Sequence, residues 1–309
     1  MPTVSDRSRL ISIVQSRQNA RVRELRAAFA RSPRDPSEVI GIEGEHLLAE
    51  ALRSQLRLRT VFVRADPARR GGSLHTLDRL ALPATVPIVE LTPPVFDSAV
   101  ETESPQGIAA LVETPRFSLA EALGSSQSAT PQSGGEPHAA PLVLITAALQ
   151  DPGNFGSLIR SAEAFRASGV IALPGTVDVW NAKALRASAG SAFRVPVVQE
   201  KSAQAFAALA ERHIPILAAV AATAAGITPT HAAIPCSAYD LTQPVALLIG
   251  NEGSGLSAEM LDRATARIAI PMPGPVESLN AAVAASILLY EAARQRSGKR
   301  AGNDPTFRS

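Results

Sequence analysis

From residue 142 onward the chain alternates short, unbroken aliphatic runs with alanine-rich stretches of helical period. The runs are LVLIT (142–146), VIALP (170–174), VPVV (195–198), IPILAAV (214–220), VALLIG (245–250) and ARIAIPM (266–272). A strand that is apolar at every position, not only at alternate ones, suits a parallel sheet covered on both faces. Helices between such strands make the fold class α/β. Ligands of open parallel sheets bind outside the carboxyl ends of the strands, so the loops that follow these runs are where chemistry is expected.

The first 116 residues have a different pattern. An arginine-rich segment of helical period carries Arg17, Arg21, Arg23, Arg26 and Arg31, the stretch EGEHLLAEALRS is apolar-periodic, and TVFVRA, VPIVEL and GIAALVE read as strands. A smaller α/β unit is expected here too. Between the two lies FSLAEALGSSQSATPQSGGEPHAAP, whose core, Ser125 to Pro137, is built almost wholly from Ser, Gln, Gly, Pro and Thr. Such a composition cannot bury much apolar surface. It predicts a front unit over 1–116, a flexible linker over 117–140 and a second unit over 141–309, with no internal repeat.

Composition narrows the class. With 309 residues, 46% hydrophobic and 19% charged, the chain is neither disordered nor collagen-like. The formal net charge of +2 looks neutral. However, residues 1–70 hold 14 Arg against 8 acids, while residues 71–116 add 2 Arg and 6 acids, so the basic surplus belongs to the opening segment. In a helix Arg17 and Arg21 would be neighbours, with Arg23 and Arg26 on other sides, giving a broad basic surface suited to phosphates. Arg outnumbers Lys 27 to 3, so a compositional bias would also scatter arginine over solvated faces. The single cysteine, Cys236, excludes an internal disulfide, fits a reducing compartment and reads as a small semi-buried side chain. His46, His75, His138, His213 and His231 have no ligand spacing, so no metal is expected. The opening MPTVSDRSRL has no signal-peptide core, and the longest apolar run, Ala281 to Tyr290, is too short to span a bilayer. The expectation is a soluble cytoplasmic protein.

Three loop-and-helix segments of the second unit carry the candidate chemistry. In DPGNFGSLIRSAEAF (151–165) a Pro-Gly turn precedes a helix, Asn154 stands where an N-cap is expected, and Arg160 lies off the apolar stripe. Arg160 can project toward whatever occupies the strand ends, or simply pair with Glu163 at i+3. In LLIGNEGSGLS (247–257) Gly250, Gly253 and Gly255 let a ligand approach the backbone and Ser257 can cap a helix, although a plain strand-to-helix turn accounts for them equally. This is neither a Walker loop nor a dinucleotide fingerprint. In IAIPMPGPVESLNAAVAASILLYEAARQR (268–296) a Pro- and Gly-rich turn ends a strand and Ser278 opens a helix. Ser278 and Asn280, taken alone, read as a cap and a first-turn polar residue.

In this order and separation, the three segments resemble the SpoU (TrmH-like) branch of the SPOUT family of RNA ribose 2′-O-methyltransferases over residues 140–296. KALRASAGSAFRVPV (183–197) is similar to a segment these proteins carry between their first two signature motifs, and QNARVRELR, IEGEHLLAEAL and SPQGIAALV resemble the L30e-like substrate-binding domain often fused to them. The resemblance implies a deep trefoil knot, a homodimer with active sites near the interface, and S-adenosylmethionine as methyl donor. It implies a donor site at Gly250, Gly253, Ile270, Met272 and Leu279. Arg160 then matches the family's catalytic arginine, Asn154 its motif-one partner, and Glu252, Ser278 and Asn280 the polar residues of the later motifs. RNA contacts fall to Arg17, Asn19, Arg21 and Arg23. One departure is Arg166, at a position usually given to glycine.

Methyl transfer from a sulfonium needs alignment more than covalent help. A guanidinium keeps its proton, so Arg160 reads better as a donor to the 2′-oxygen and a neighbouring phosphate than as a general base. The implied substrate is 23S ribosomal RNA, and thiostrepton-type resistance methyltransferases share the layout. The alternatives are a tRNA 2′-O-methyltransferase, a non-catalytic RNA-binding assembly factor, and a nucleotide-dependent metabolic enzyme. The last of these would need a phosphate loop that DPGN does not provide.

Overall fold

A computed structural model of the chain describes residues 11–30, 39–65, 77, 79–80, 82–102, 104–124, 140–221, 233–251 and 253–303. The front half contains β1 (Ile11–Val14), α1 (Ala20–Ala30), β2 (Val39–Glu43), α2 (Glu45–Arg53), β3 (Leu58–Arg64), β4 (Ile88–Leu91), α3 (Pro93–Asp97) and β5 (Ile108–Glu113). After it come α4 (Leu119–Ala122), β6 (Leu142–Thr146), α5 (Pro152–Ala164), β7 (Gly169–Ala172), α6 (Ala182–Ser188), β8 (Val197–Gln199), α7 (Ser202–Glu211) and β9 (Ile216–Ala219). The chain continues through β10 (Ile234–Pro235), β11 (Val245–Ile249), α8 (Ala258–Arg263), β12 (Ala266–Ala269) and α9 (Ala281–Asn303). Contacts gather these into two units, Met1–Arg116 with Trp180–Arg194, and Phe117–Val179 with Val195–Ser309.

In the first unit the sheet order is β1-β4-β3-β5-β2. β1, β4 and β3 run parallel, and β5 is antiparallel to both β3 and β2. The three expected runs are β3, β4 and β5. The two strands not anticipated are short edge strands. Ile13 of β1 is exposed, and VIGIE of β2 is interrupted by a glycine. That glycine is required by packing, because a Cβ on Gly41 would lie 2.8 Å from the Phe29 ring. α1 buries Val22, Leu25 and Phe29 into a core with Phe62, Phe96 and Leu111. Its cap is Asn19, whose Oδ1 accepts from Arg21 N–H at 2.9 Å. Arg17 therefore lies in the turn before the helix, and the expected helical pairing with Arg21 is not made. Arg31 lies outside the described residues.

The second unit is a seven-stranded, wholly parallel sheet of order β10-β12-β9-β11-β6-β7-β8. All six expected runs are strands, and the two-residue edge strand β10 is additional. Val143, Ile145, Ile171, Ala246 and Leu248 pack with Phe206 and Leu209 of α7 in one buried cluster. The stretch expected to be linker is not uniform. Leu119–Ala122 form α4, with a capping box in which Ser118, the N-cap, and Glu121 satisfy each other's backbone N–H. Ala122 is fully buried there, because Gly169 opens β7: a Cβ at that position would sit 2.5 Å from Ala122 Cα. Residues 125–139 lie outside the described residues. No helix among the described residues is long and apolar enough to cross a membrane.

α9 returns the chain past the sheet and is fastened chiefly by Arg296, next to Gln295, which accepts from Leu241 N–H at 2.9 Å and donates to Tyr239 O at 3.2 Å. Arg296 donates from Nε to the carbonyl of Leu241 (2.9 Å), from Nη1 to Ala140 (2.6 Å), and from Nη2 to Pro141 (3.2 Å) and Gln243 (2.9 Å). These carbonyls precede β6 and β11, so the helix end is pinned at the entry side of the two central strands. Burial pushes the guanidinium's pKa down from its ordinary value, yet arginine stays charged in proteins, and charged donors make the stronger bonds. Arg296→Ala should therefore cost roughly 3 kcal/mol of unfolding free energy by chemical denaturation. An unchanged midpoint would mean that these bonds do not hold the helix.

Candidate functional site

The carboxyl ends of three adjacent strands, β12, β9 and β11, open onto a cavity of about 450 Å3. β11 contributes Gly250, Asn251 and the loop glycines Gly253 and Gly255. Ile270 and Met272 come from the chain after β12, and Ser278 and Leu279 from the approach to α9. All five residues expected to hold the donor therefore line a single cavity, together with Ser278. Its walls among the described residues are aliphatic side chains, glycine backbone and neutral polar groups, with no charged side chain. Such walls suit a nucleoside with a thioether or sulfonium, whereas a pyrophosphate would call for cations.

Gly250 is fixed by geometry. A Cβ there would meet the carbonyl carbon of Gly255 at 2.6 Å, which is backbone and cannot step aside without moving the loop. The loop closes on itself, Gly255 N–H donating to Asn251 O at 3.0 Å. At its centre is Asn251, which the sequence reading did not single out. Its Oδ1 accepts from Gly253 N–H at 2.8 Å and Ser254 N–H at 3.3 Å, and its Nδ2 donates to Ala148 O at 2.8 Å. An Asn directly after a strand and two residues before a glycine is an Asx-turn signal, and it could have been read as one. The bond to Ala148 joins the donor loop to the segment that leads into α5.

α5 begins differently from expectation. Its N-cap is Asp151, whose Oδ1 accepts from Asn154 N–H at 2.7 Å, with Pro152 at the first helical position. Pro fits there because its missing N–H would have had no intrahelical partner. Asn154 is thus in the first turn and its side chain is directed elsewhere. Asn154 Oδ1 accepts from Asn280 Nδ2 at 3.0 Å, while Asn280 Oδ1 caps α9 by accepting from Ala282 N–H (2.9 Å) and Val283 N–H (3.2 Å). The cap of α9 is accordingly Asn280, and Ser278 is left facing the donor cavity. Asn154 and Asn280 also line a shallow groove with Ser157, Phe165 and Tyr290. Arg160 is exposed on α5, one turn beyond Ser157. Glu252 lies outside the described residues.

Arg166 adopts φ 56°, the left-handed conformation that explains a glycine preference at its position. The helix closes normally around it, Ala167 N–H donating to Ala162 O at 2.8 Å. In the first unit Arg21 and Arg23 are exposed on α1, Arg17 is exposed in the preceding turn, and Asn19 is half-buried as the cap. No group of three His, Cys, Asp or Glu side chains among the described residues could hold a metal. Cys236 is buried, and burial followed by the charge of Glu291 pushes its thiol pKa up.

Comparison with known proteins decides what this geometry belongs to. Residues 141–290 match the model of the SpoU rRNA methylase family, and residues 19–110 that of the MRM3-like substrate-binding domain. The 23S rRNA (guanosine(2553)-2′-O)-methyltransferase RlmP of Bacillus subtilis is 31% identical over 277 residues, covering 90% of this chain and 97% of the relative. The chain belongs to the SpoU rRNA methylase family. It aligns with solved structures over both units. The SpoU methyltransferase AviRb of Streptomyces viridochromogenes, in complex with AdoMet, superposes with TM-score 0.69 at 26% identity, covering 91% of this chain and 100% of that one. An AdoMet-bound rRNA methyltransferase from Sinorhizobium meliloti superposes with TM-score 0.70 at 27% identity, covering 92% and 98%. S-adenosylmethionine is the donor of this SpoU protein, and the cavity at Gly250 suits it in size, neutrality and backbone access.

If the cavity holds the donor, Gly250→Ala should weaken S-adenosylmethionine binding roughly tenfold or more while the unfolding midpoint shifts little. Calorimetric titration checks this, and wild-type affinity in the variant would show that the donor lies elsewhere.

Proposed function

We propose that the protein transfers the methyl group of S-adenosylmethionine to a ribose 2′-hydroxyl of 23S ribosomal RNA. The observation that carries this reading is the Asn154–Asn280 bond. It fixes the start of α5, the helix of Arg160, next to the helix whose approach lines the donor cavity. Support for the ribosomal substrate comes from the relatives that match over both units. Nothing at the site favours the tRNA reading or the metabolic enzyme, and an intact glycine cradle argues against a catalytically dead assembly factor.

S-adenosylmethionine, when bound, supplies a methyl group already activated on sulfur. Gly250, Gly253, Ile270, Met272 and Leu279 would hold it through backbone groups and apolar contact, with Ser278 at the mouth. Arg160 would donate to the 2′-oxygen and a neighbouring phosphate, stabilising negative charge as it develops. Asn154 and Asn280 keep that helix in place, and Glu252 belongs to the same loop as the glycines. RNA binding is assigned to the front unit over 1–116, with Arg17, Arg21 and Arg23 as phosphate contacts. Asn19 holds the α1 terminus that presents them. The catalytic unit is assigned to 141–309.

We also read the protein as a cytoplasmic homodimer with a knotted catalytic unit. Val283 and Tyr290 are 47% and 55% exposed, and Tyr290 packs edge-on to Phe165 at 5.9 Å, leaving an apolar face on α5 and α9 that a second copy would cover. The placement of β11 between β6 and β9 is compatible with a threaded chain.

Ribose-methylation mapping of total RNA from cells with and without the gene should lose one 2′-O-methyl site in 23S ribosomal RNA. A loss confined to transfer RNA, or no loss, would overturn the assignment. Arg160→Ala should reduce methylation of that RNA by at least roughly a hundredfold, the scale of a removed electrostatic donor, with the dissociation constant for S-adenosylmethionine within about twofold of wild type. Appreciable turnover in the variant would remove Arg160 from the chemistry.

A further inference from the structure

The segment Trp180–Arg194 leaves the catalytic sheet after β7 and returns to it at β8, yet its contacts place it with the front unit. Three features bind it there. Ala182 joins the core of Phe29 and Phe96. Gly190, at φ 85°, sits so close to α2 that a Cβ would meet Glu50 Cβ at 2.5 Å. Arg194 Nη1 donates to Glu50 Oε2 at 2.7 Å and to Ser54 Oγ at 3.1 Å. Glu50 is 4% exposed, and Arg53 takes its other oxygen at 2.7 Å. A buried carboxylate needs such partners, and removing one leaves an uncompensated charge. The segment is also stiffened from within by Trp180 stacked on Phe193, centroids 6.5 Å apart and planes 18° apart. On its outer side α6 exposes Lys183 and Arg186.

We propose that Glu50 is a positioning residue for RNA methylation. Its carboxylate, by holding Arg194 and receiving Gly190, keeps the β7–β8 connection on the substrate-binding unit. RNA held by that unit therefore meets α6 and its two cations in one fixed place. The proposal rests on the RNA-methyltransferase reading above. Nothing in it requires Glu50 to touch RNA or donor, and its effect should fall on substrate capture more than on the chemical step.

The test uses the full-length protein and deproteinised 23S ribosomal RNA from cells lacking the gene. Glu50→Ala and Arg194→Ala should raise KM for RNA roughly tenfold, with kcat and the dissociation constant for S-adenosylmethionine within about twofold. The emission of Trp180, the sole tryptophan, should shift to the red in both. Arg194→Lys, which keeps a cation beside Glu50, should recover most of the loss. The isosteric Glu50→Gln serves if Glu50→Ala does not fold, and should show the same KM increase and Trp180 shift in smaller degree. An unchanged KM with a shifted Trp180 would show that the segment's attachment does not position RNA. An unchanged Trp180 would show that Glu50 does not hold the segment. Either result overturns the proposal. A wild-type protein that methylates no 23S RNA but shows the Trp180 responses would instead overturn the substrate assignment.

Discussion

The geometry of the catalytic end depends on one side-chain amide. β6 and β11 are neighbouring parallel strands in register, Thr146 opposite Ile249, so their exits lie side by side. Ala147 N–H continues the ladder to Ile249 O at 2.9 Å, and Asn251 then spans the gap to Ala148 O. Ala148 is itself left-handed, φ 54°, a conformation an L-residue keeps only when its neighbours enforce it. The same amide shapes the donor loop through its oxygen. A second amide, Asn280, bridges α9 to α5 in the same manner. Two neutral side chains thus tie together the glycine loop, α5 and α9, and they bring no formal charge to the cavity. A sulfonium is not repelled there, and Arg160, the cation proposed to act on substrate, does not line that cavity.

What could be read from the sequence follows from how each element is stabilised. β6, β7 and β11 were legible because both their faces are buried, which forces an unbroken apolar run. β1 and β2 were not, since an edge strand tolerates an exposed Ile13 and Phe29 demands Gly41, and both features look like loop. Asn154 was placed at the helix start because Asn is a common cap. Asp151 before a proline is the stronger signal, since Pro at the first helical position sets the cap one residue upstream. The donor residues lie in three separated segments, and nothing in their spacing brings them together. Strand order does so, and strand order is a tertiary property. The segment Trp180–Arg194 was illegible for a similar reason: its attachment depends on Glu50, far away in sequence.

The basic surplus of the opening segment also looks different in three dimensions. Arg26 donates to Ser98 O at 3.1 Å and Ser98 Oγ at 3.3 Å, so part of that charge braces α1 against α3. Arg59 and Arg64 pair with Glu113 and Asp97. Exposed pairs of this kind contribute little stability, but they remove cations from the count available to a polyanion. Among the described residues, Arg17, Arg21 and Arg23 stay exposed around the capped start of α1, where the helix dipole adds positive potential of its own.

Among the described residues, the groove between Asn154 and Asn280 is lined by no carboxylate or imidazole, which suits the proposed reaction. A guanidinium cannot take the ribose proton, and the polar groups that line the groove, Asn154, Ser157, Asn280, Ser286 and Tyr290, are amides and hydroxyls that make poor bases. As the new oxygen–carbon bond forms, however, the hydroxyl proton becomes strongly acidic, so water at an open groove can accept it late. What the protein must provide is a fixed line of approach and a donor that favours electron density on the 2′-oxygen. In the proposed mechanism, neutral amides would provide the first and an exposed arginine the second. A carboxylate base in the donor cavity would instead hold the sulfonium as an ion pair and stabilise the ground state, an interaction that weakens as the methyl group leaves and so opposes catalysis.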